Sequence, residues 1–142
     1  MDSKLGAAFL VAAVISCLGQ RPLHAQTCKD EEDMAAFYTK EINDLQQTIK
    51  KESLQDFEKA FHQKSCLTKL TLFVGALDGV MSCLEKAAQD TTATKEQVDT
   101  YKAKRERTAK LRDKIDHYKS ALKGAETAKE AKGLIEKFDL VD

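Results

Sequence analysis

Leu67, Leu70, Val74, Leu77, Met81, Leu84 and Ala88 recur at spacings of three and four without a miss. That is the period of one α-helical face. Cys66, Phe73 and Val80 flank it, so the stripe is wide enough to meet neighbours on more than one side. Residues 65–87 form the most apolar stretch downstream of the N-terminal leader, with a G-x-x-x-G (Gly75, Gly79) at the centre. A membrane span fits poorly, because Lys69, Asp78 and Glu85 interrupt the run. Each central charge in a span costs about 3 kcal/mol or more. The segment is therefore predicted as the central core helix of a soluble bundle. Each glycine costs a helix about 1 kcal/mol, which close approach of another backbone would offset.

The same reading predicts four more helices. The first spans Asp30–Lys50, capped by Thr27, with Asp30, Glu31, Glu32 and Asp33 complementing its positive end. Met34, Tyr38, Ile42, Leu45 and Ile49 form its stripe, widened by Phe37. The second starts at Ser53, an approximate capping box with Asp56. It presents Leu54, Phe57 and Phe61, and ends or bends near Gln63. After a polar loop, Gln89–Thr94, Thr94 and Gln97 form a capping box for the fourth helix. Its narrow stripe is Val98, Tyr101, Thr108, Leu111, Ile115, Tyr118 and Leu122. Arg105 falls on that stripe and is expected to snorkel. Gly124 suits a left-handed helix end. The fifth, Glu126–Phe138, turns Ala128, Ala131, Ile135 and Phe138 inward, and Asp139–Asp142 is expected to fray. The fold class is all-α: one small bundle of four to five helices, residues 26–142.

The beginning of the chain changes the picture of where this bundle works. Lys4, an uncharged run from Leu5 to Gln20, and Leu23-His24-Ala25 before a cut read as a secretory signal peptide, residues 1–25. Val14-Ile15-Ser16-Cys17 also fits a bacterial lipobox, although Ile15 is bulky for one. A lipoprotein acylated at Cys17 is therefore the further alternative to an ordinary extracellular protein. The only proline, Pro22, leaves with the leader, and a proline-free chain rich in Ala, Lys, Glu, Leu and Gln favours helix throughout.

Secretion favours oxidised cysteines. Four occur, and Cys28, Cys66 and Cys83 lie after the leader. Within one continuous helix, Cys66 and Cys83, 17 positions apart, lie roughly 25 Å from each other. A disulfide needs Cα atoms within about 7 Å. One of the two should therefore bond Cys28. If the second helix is a short cap, the third runs antiparallel to the first, which favours Cys28 with Cys83. Cys66 is then a buried small hydrophobe or an interchain link.

Formal charge is balanced, with 23 basic and 23 acidic residues. It is segregated, however: Lys29–Lys59 carries nine acidic and five basic residues, Lys95–Lys123 ten basic and five acidic. The plain expectation is that helices within the bundle neutralise each other. The other is a partner surface on the fourth helix, with Lys104, Arg107 and Lys114 as candidates. Stacking aromatics and dense basic runs are missing, so nucleic acid is not an expected partner.

No chemistry emerges from the spacing. His62 follows Glu58 by four and His117 follows Asp113 by four, but two ligands make no metal site and no H-E-x-x-H or paired C-x-x-C occurs. There is no phosphate loop, no Ser-His-Asp pattern, and no glycosylation sequon at Asn43. Neither an enzyme nor a cofactor is expected.

The preferred reading is a secreted, non-enzymatic protein that binds a protein or other macromolecule. The alternative is an extracellular carrier of a small apolar ligand such as a lipid. Its wall would be Phe57, Phe61, Phe73, Leu77, Met81, Tyr101 and Tyr118 between helices. Self-association of the coiled-coil type, through the stripes of the fourth and fifth helices, is a third reading.

Overall fold

The computed structural model describes residues 28–141. The predicted leader, the lipidation alternative at Cys17 and the Thr27 cap lie outside them. Among the described residues there are five helices and no strand. They are α1 (28–51), α2 (Leu54–Lys59), α3 (His62–Ala88), α4 (Lys95–Gly124) and α5 (Ala128–Glu136).

The long helices α1, α3 and α4 bury positions seven residues apart. On α1 these are Cys28, Ala35, Ile42 and Ile49. On α3, Cys66, Phe73, Val80 and Ala87 alternate with Leu70, Leu77 and Leu84. On α4, Ile115 and Leu122 are buried, and Leu111 and Tyr118 pack against the core more loosely. A seven-residue apolar repeat keeps a seam facing its partner along a gently coiled pair. Full burial of each large apolar side chain contributes about 1.5–3 kcal/mol.

Cross-links between helices fix the directions. Cys28 meets Cys83 and Glu41 meets Lys69 (3.1 Å), so α1 and α3 are antiparallel. Asp78 meets Arg112 (3.0 Å) and Glu85 meets Arg105 (3.8 Å), so α3 and α4 are antiparallel too. Lys69, Asp78 and Glu85 are the charges that interrupt the apolar run, and all three pair with a neighbouring helix. By length and composition α3 is apolar enough to cross a membrane, and one third of its most apolar window is buried here. The Cys28 and Cys83 sulfurs lie at disulfide distance, with Cα atoms 5.6 Å apart. That is the pairing favoured by a short second helix and an antiparallel third. Cys66 is free, with no exposed surface. Burial in apolar surroundings pushes its thiol up to about 12.

Several expectations are corrected. Met34 is 50% exposed, because the α1 seam centres on Ala35, one residue and about 100° away. Leu54 and Phe61 are exposed, since six-residue α2 is too short to carry a stripe and turns only Phe57 inward. Gly124 is not left-handed: it is the last residue of α4, and the chain leaves through an extended Ala125. No neighbouring backbone approaches the two glycines. Nothing lies within 4 Å of a Cβ built on Gly75, and Gly79 meets only a Glu31 carboxylate oxygen, at 3.5 Å. The C-terminal tail packs down as far as Leu140, while the Val141 side chain is exposed. Phe138 stacks on Tyr118 (4.5 Å between centroids), Leu140 is buried, and Lys114 Nζ donates to the Val141 carbonyl.

Candidate partner-binding groove

The α2–α3 corner shapes the surface. Ser53 caps α2 by accepting from the Asp56 amide at 3.1 Å. Six residues later the helix ends, and Phe61 takes φ 55°, ψ 37°, a left-handed conformation, before α3 begins at His62. It is the one non-glycine residue with positive φ among those described. Two interactions pin the corner from below. His62 Nε2 lies 2.7 Å from a Glu52 carboxylate oxygen, both atoms buried and without another polar partner. Gln63 Nε2 donates to the carbonyls of Leu122 (3.1 Å) and Ala125 (3.3 Å), tying the start of α3 to the end of α4, where Leu122 also accepts from the Ala125 amide.

With the corner so held, Phe61 is 73% exposed. Beside it is a groove of about 290 Å³ lined by Phe57, Phe61, His62, Gln63, Leu67 and Ala128, with Glu58 and Lys64 at its edge. A second groove, about 370 Å³, continues along the outer seam of α3 and α4. It is lined by Lys64, Leu67, Thr68, Thr71, Leu72, Lys119 and Lys123. Lys64 and Leu67 belong to both, so the two are continuous. The second stretch has three ammonium groups and no carboxylate in its lining. None of the three lysines makes an ion pair among the described residues. Leu72, 48% exposed, marks its far end.

The residues singled out in the sequence are placed differently from one another. Of the predicted apolar wall, Phe57, Phe73 and Leu77 are buried in the core, and Met81, Tyr101 and Tyr118 are partly buried. Only Phe57 and Phe61 line the corner groove. On α4, Lys104 pairs with Glu32 at 3.5 Å. Lys104 and Arg107 border a pocket of about 260 Å³, while Lys114 is engaged with the tail. His62 pairs with Glu52 rather than Glu58, because the break at Phe61 separates positions that a continuous helix would align. No cluster of three or more metal-ligating side chains occurs among the described residues.

Lys64, Lys119 and Lys123 were legible only as charges on helices. The one signal in the sequence was Phe61, an aromatic close to the expected bend. No family model, curated protein or solved structure matches this chain.

Proposed function

We propose that the chain is a secreted, non-enzymatic protein that binds a macromolecular partner through the groove at the α2–α3 corner. The leader pattern supports secretion, and the disulfide-distance pair Cys28–Cys83 fits an oxidising compartment. Phe61 is the observation that carries the binding reading. A left-handed backbone costs an L-residue roughly 1–2 kcal/mol. Here the cost holds a large aromatic ring out in solvent, where it contributes little to the core. Backbone strain of this kind concentrates at functional sites. Carriage of a small apolar ligand has less support, because the groove is open and much of the expected wall is packed in the core.

A photoreactive phenylalanine analogue at position 61 tests this in the fluid into which the protein is secreted. A polypeptide adduct, suppressed by excess unlabelled protein but not by excess Phe61→Ser, is the expected result. A lipid adduct alone would overturn the reading in favour of the carrier. An adduct only when the probe stands at Arg107 would move the site to the α4 face.

A further inference from the structure

The geometry points to an acidic amphipathic helix of a partner protein as the occupant of this groove. The inference rests on the binding reading above and names the chemistry of the partner. Three features of the surface carry it.

The first is charge. Lys64, Lys119 and Lys123 rim the α3–α4 stretch, which has no carboxylate lining it. A segment with carboxylates along its flanks is complementary to that rim, and a basic one is repelled. The second is the apolar floor. Leu67 and Leu72 lie between those lysines, and the groove ends at the exposed ring of Phe61. A purely ionic ligand would leave these groups in water.

The third is shape. Phe61 stands immediately before α3 and Leu72 eleven residues further along, about 16 Å at the helical rise. The exposed apolar positions are thus separated by three turns. A ligand helix lying along α3 and α4 meets both ends with apolar side chains at i, i+3 or i+4, i+7 and i+11, the helix-in-groove mode. Between them the surface is low: Thr68 and Thr71 are exposed, and among the described residues nothing beyond its own helix backbone and chain neighbours stands within 4 Å of a Cβ at Gly75, just beyond Leu72. Addition of a β-strand has no counterpart here, because the described residues contain no sheet edge.

The probe is a fluorescein-labelled synthetic helix of about 16 residues, with leucines on one face and glutamates flanking them. Comparison peptides are its scrambled isomer, of equal charge and composition, and a lysine-flanked version. Anisotropy is measured at about 0.1 M and about 1 M salt, where the Debye length falls from about 10 Å to about 3 Å. The acidic amphipathic peptide is expected to bind and the two others to bind at least about tenfold more weakly, a difference of about 1.4 kcal/mol. Lys119→Glu with Lys123→Glu should weaken binding about tenfold or more, and Phe61→Ser should weaken it with the salt dependence retained. Circular dichroism and thermal melting establish that both variants fold, as expected for substitutions at exposed side chains.

Equal binding of the scrambled peptide overturns the helical occupant, and unchanged binding by the lysine variant overturns the site. Preference for vesicles of anionic lipid over the peptide overturns it in favour of a membrane surface. A polypeptide adduct at position 61 without peptide binding refutes the acidic helix while leaving the binding function in place. Loss of both refutes the function itself.

Discussion

Gln46 is the polar side chain on which the docking of α5 depends, and replacing it gives a quantitative test of the architecture. It is 6% exposed, on the buried side of α1. Its Nε2 donates to the carbonyls of Ile135 (2.9 Å), Glu136 (3.2 Å) and Phe138 (2.8 Å). These acceptors lie at and just beyond the end of α5; the Ile135 carbonyl also accepts from the Phe138 amide (3.1 Å), so the Glu136 and Phe138 carbonyls depend most on Gln46. Gln46→Met keeps most of the volume and removes the donors. Two N–H bonds are worth about 1 kcal/mol each net, and stranding a buried carbonyl costs about 1–3 kcal/mol. The loss should be about 3–5 kcal/mol, or about 12–20 °C in Tm for a domain of this size. The assay is urea and thermal unfolding, with hydrogen exchange at the Ala131 and Ile135 amides to show that the loss is local to α5. Gln46→Glu should be worse at neutral pH, because a carboxylate then faces three carbonyl oxygens. It should recover as pH falls toward about 4 and level off below, because burial against carbonyl oxygens raises the folded-state value above the unfolded one and the protonated acid regains a donor. A Gln46→Met variant within about 0.5 kcal/mol of the parent, with unchanged exchange in α5, would refute the reasoning.

Other expectations follow from single features. The Cys28–Cys83 bond closes a loop of 55 residues, so reduction should lower stability by about 4 kcal/mol on the loop-entropy estimate, read as a shift in the urea midpoint. Cys66 should resist alkylation in the native state and react on denaturation, as followed by intact mass. Its folded value of about 12 lies above the usual 9.0, so above pH 9 the unfolded state loses the proton first. Stability then falls by about 1.4 kcal/mol per pH unit up to about pH 12, and Cys66→Val should lack that increment in paired titrations. Thr94→Ala removes the Oγ1 acceptor for the Gln97 amide and should cost about 1 kcal/mol in thermal unfolding. Phe61→Gly should raise stability by about 0.5–1 kcal/mol, since the relief of left-handed strain exceeds the added freedom of the unfolded chain. A loss would mean that the Phe61 ring stabilises the corner.

What the sequence determined is local. The apolar period of α3 located its core face, since burial follows the helix repeat whatever lies opposite. Thr94 and Gln97 announced their capping box, and the bonds form as expected, 2.9 and 3.1 Å over three residues. Helix length excluded a Cys66–Cys83 bond, and a short second helix favoured the Cys28–Cys83 pairing that the structure holds. The tertiary structure decided what depends on distant partners. Gln46 and Gln63 read as ordinary helix-surface polar residues, yet they donate to carbonyls 89–92 and 59–62 residues away. Met34 moved outward because the seam, and not its own stripe, selects the buried face. Within the tail expected to fray, Leu140 is instead buried against the core. The left-handed Phe61 and the groove beside it arise where α2, α3, α4 and α5 meet. Periodicity and capping energies act within a turn or two of chain, so a sequence displays them. A polar side chain takes its value from the group placed against it, and only the packed helices supply that group.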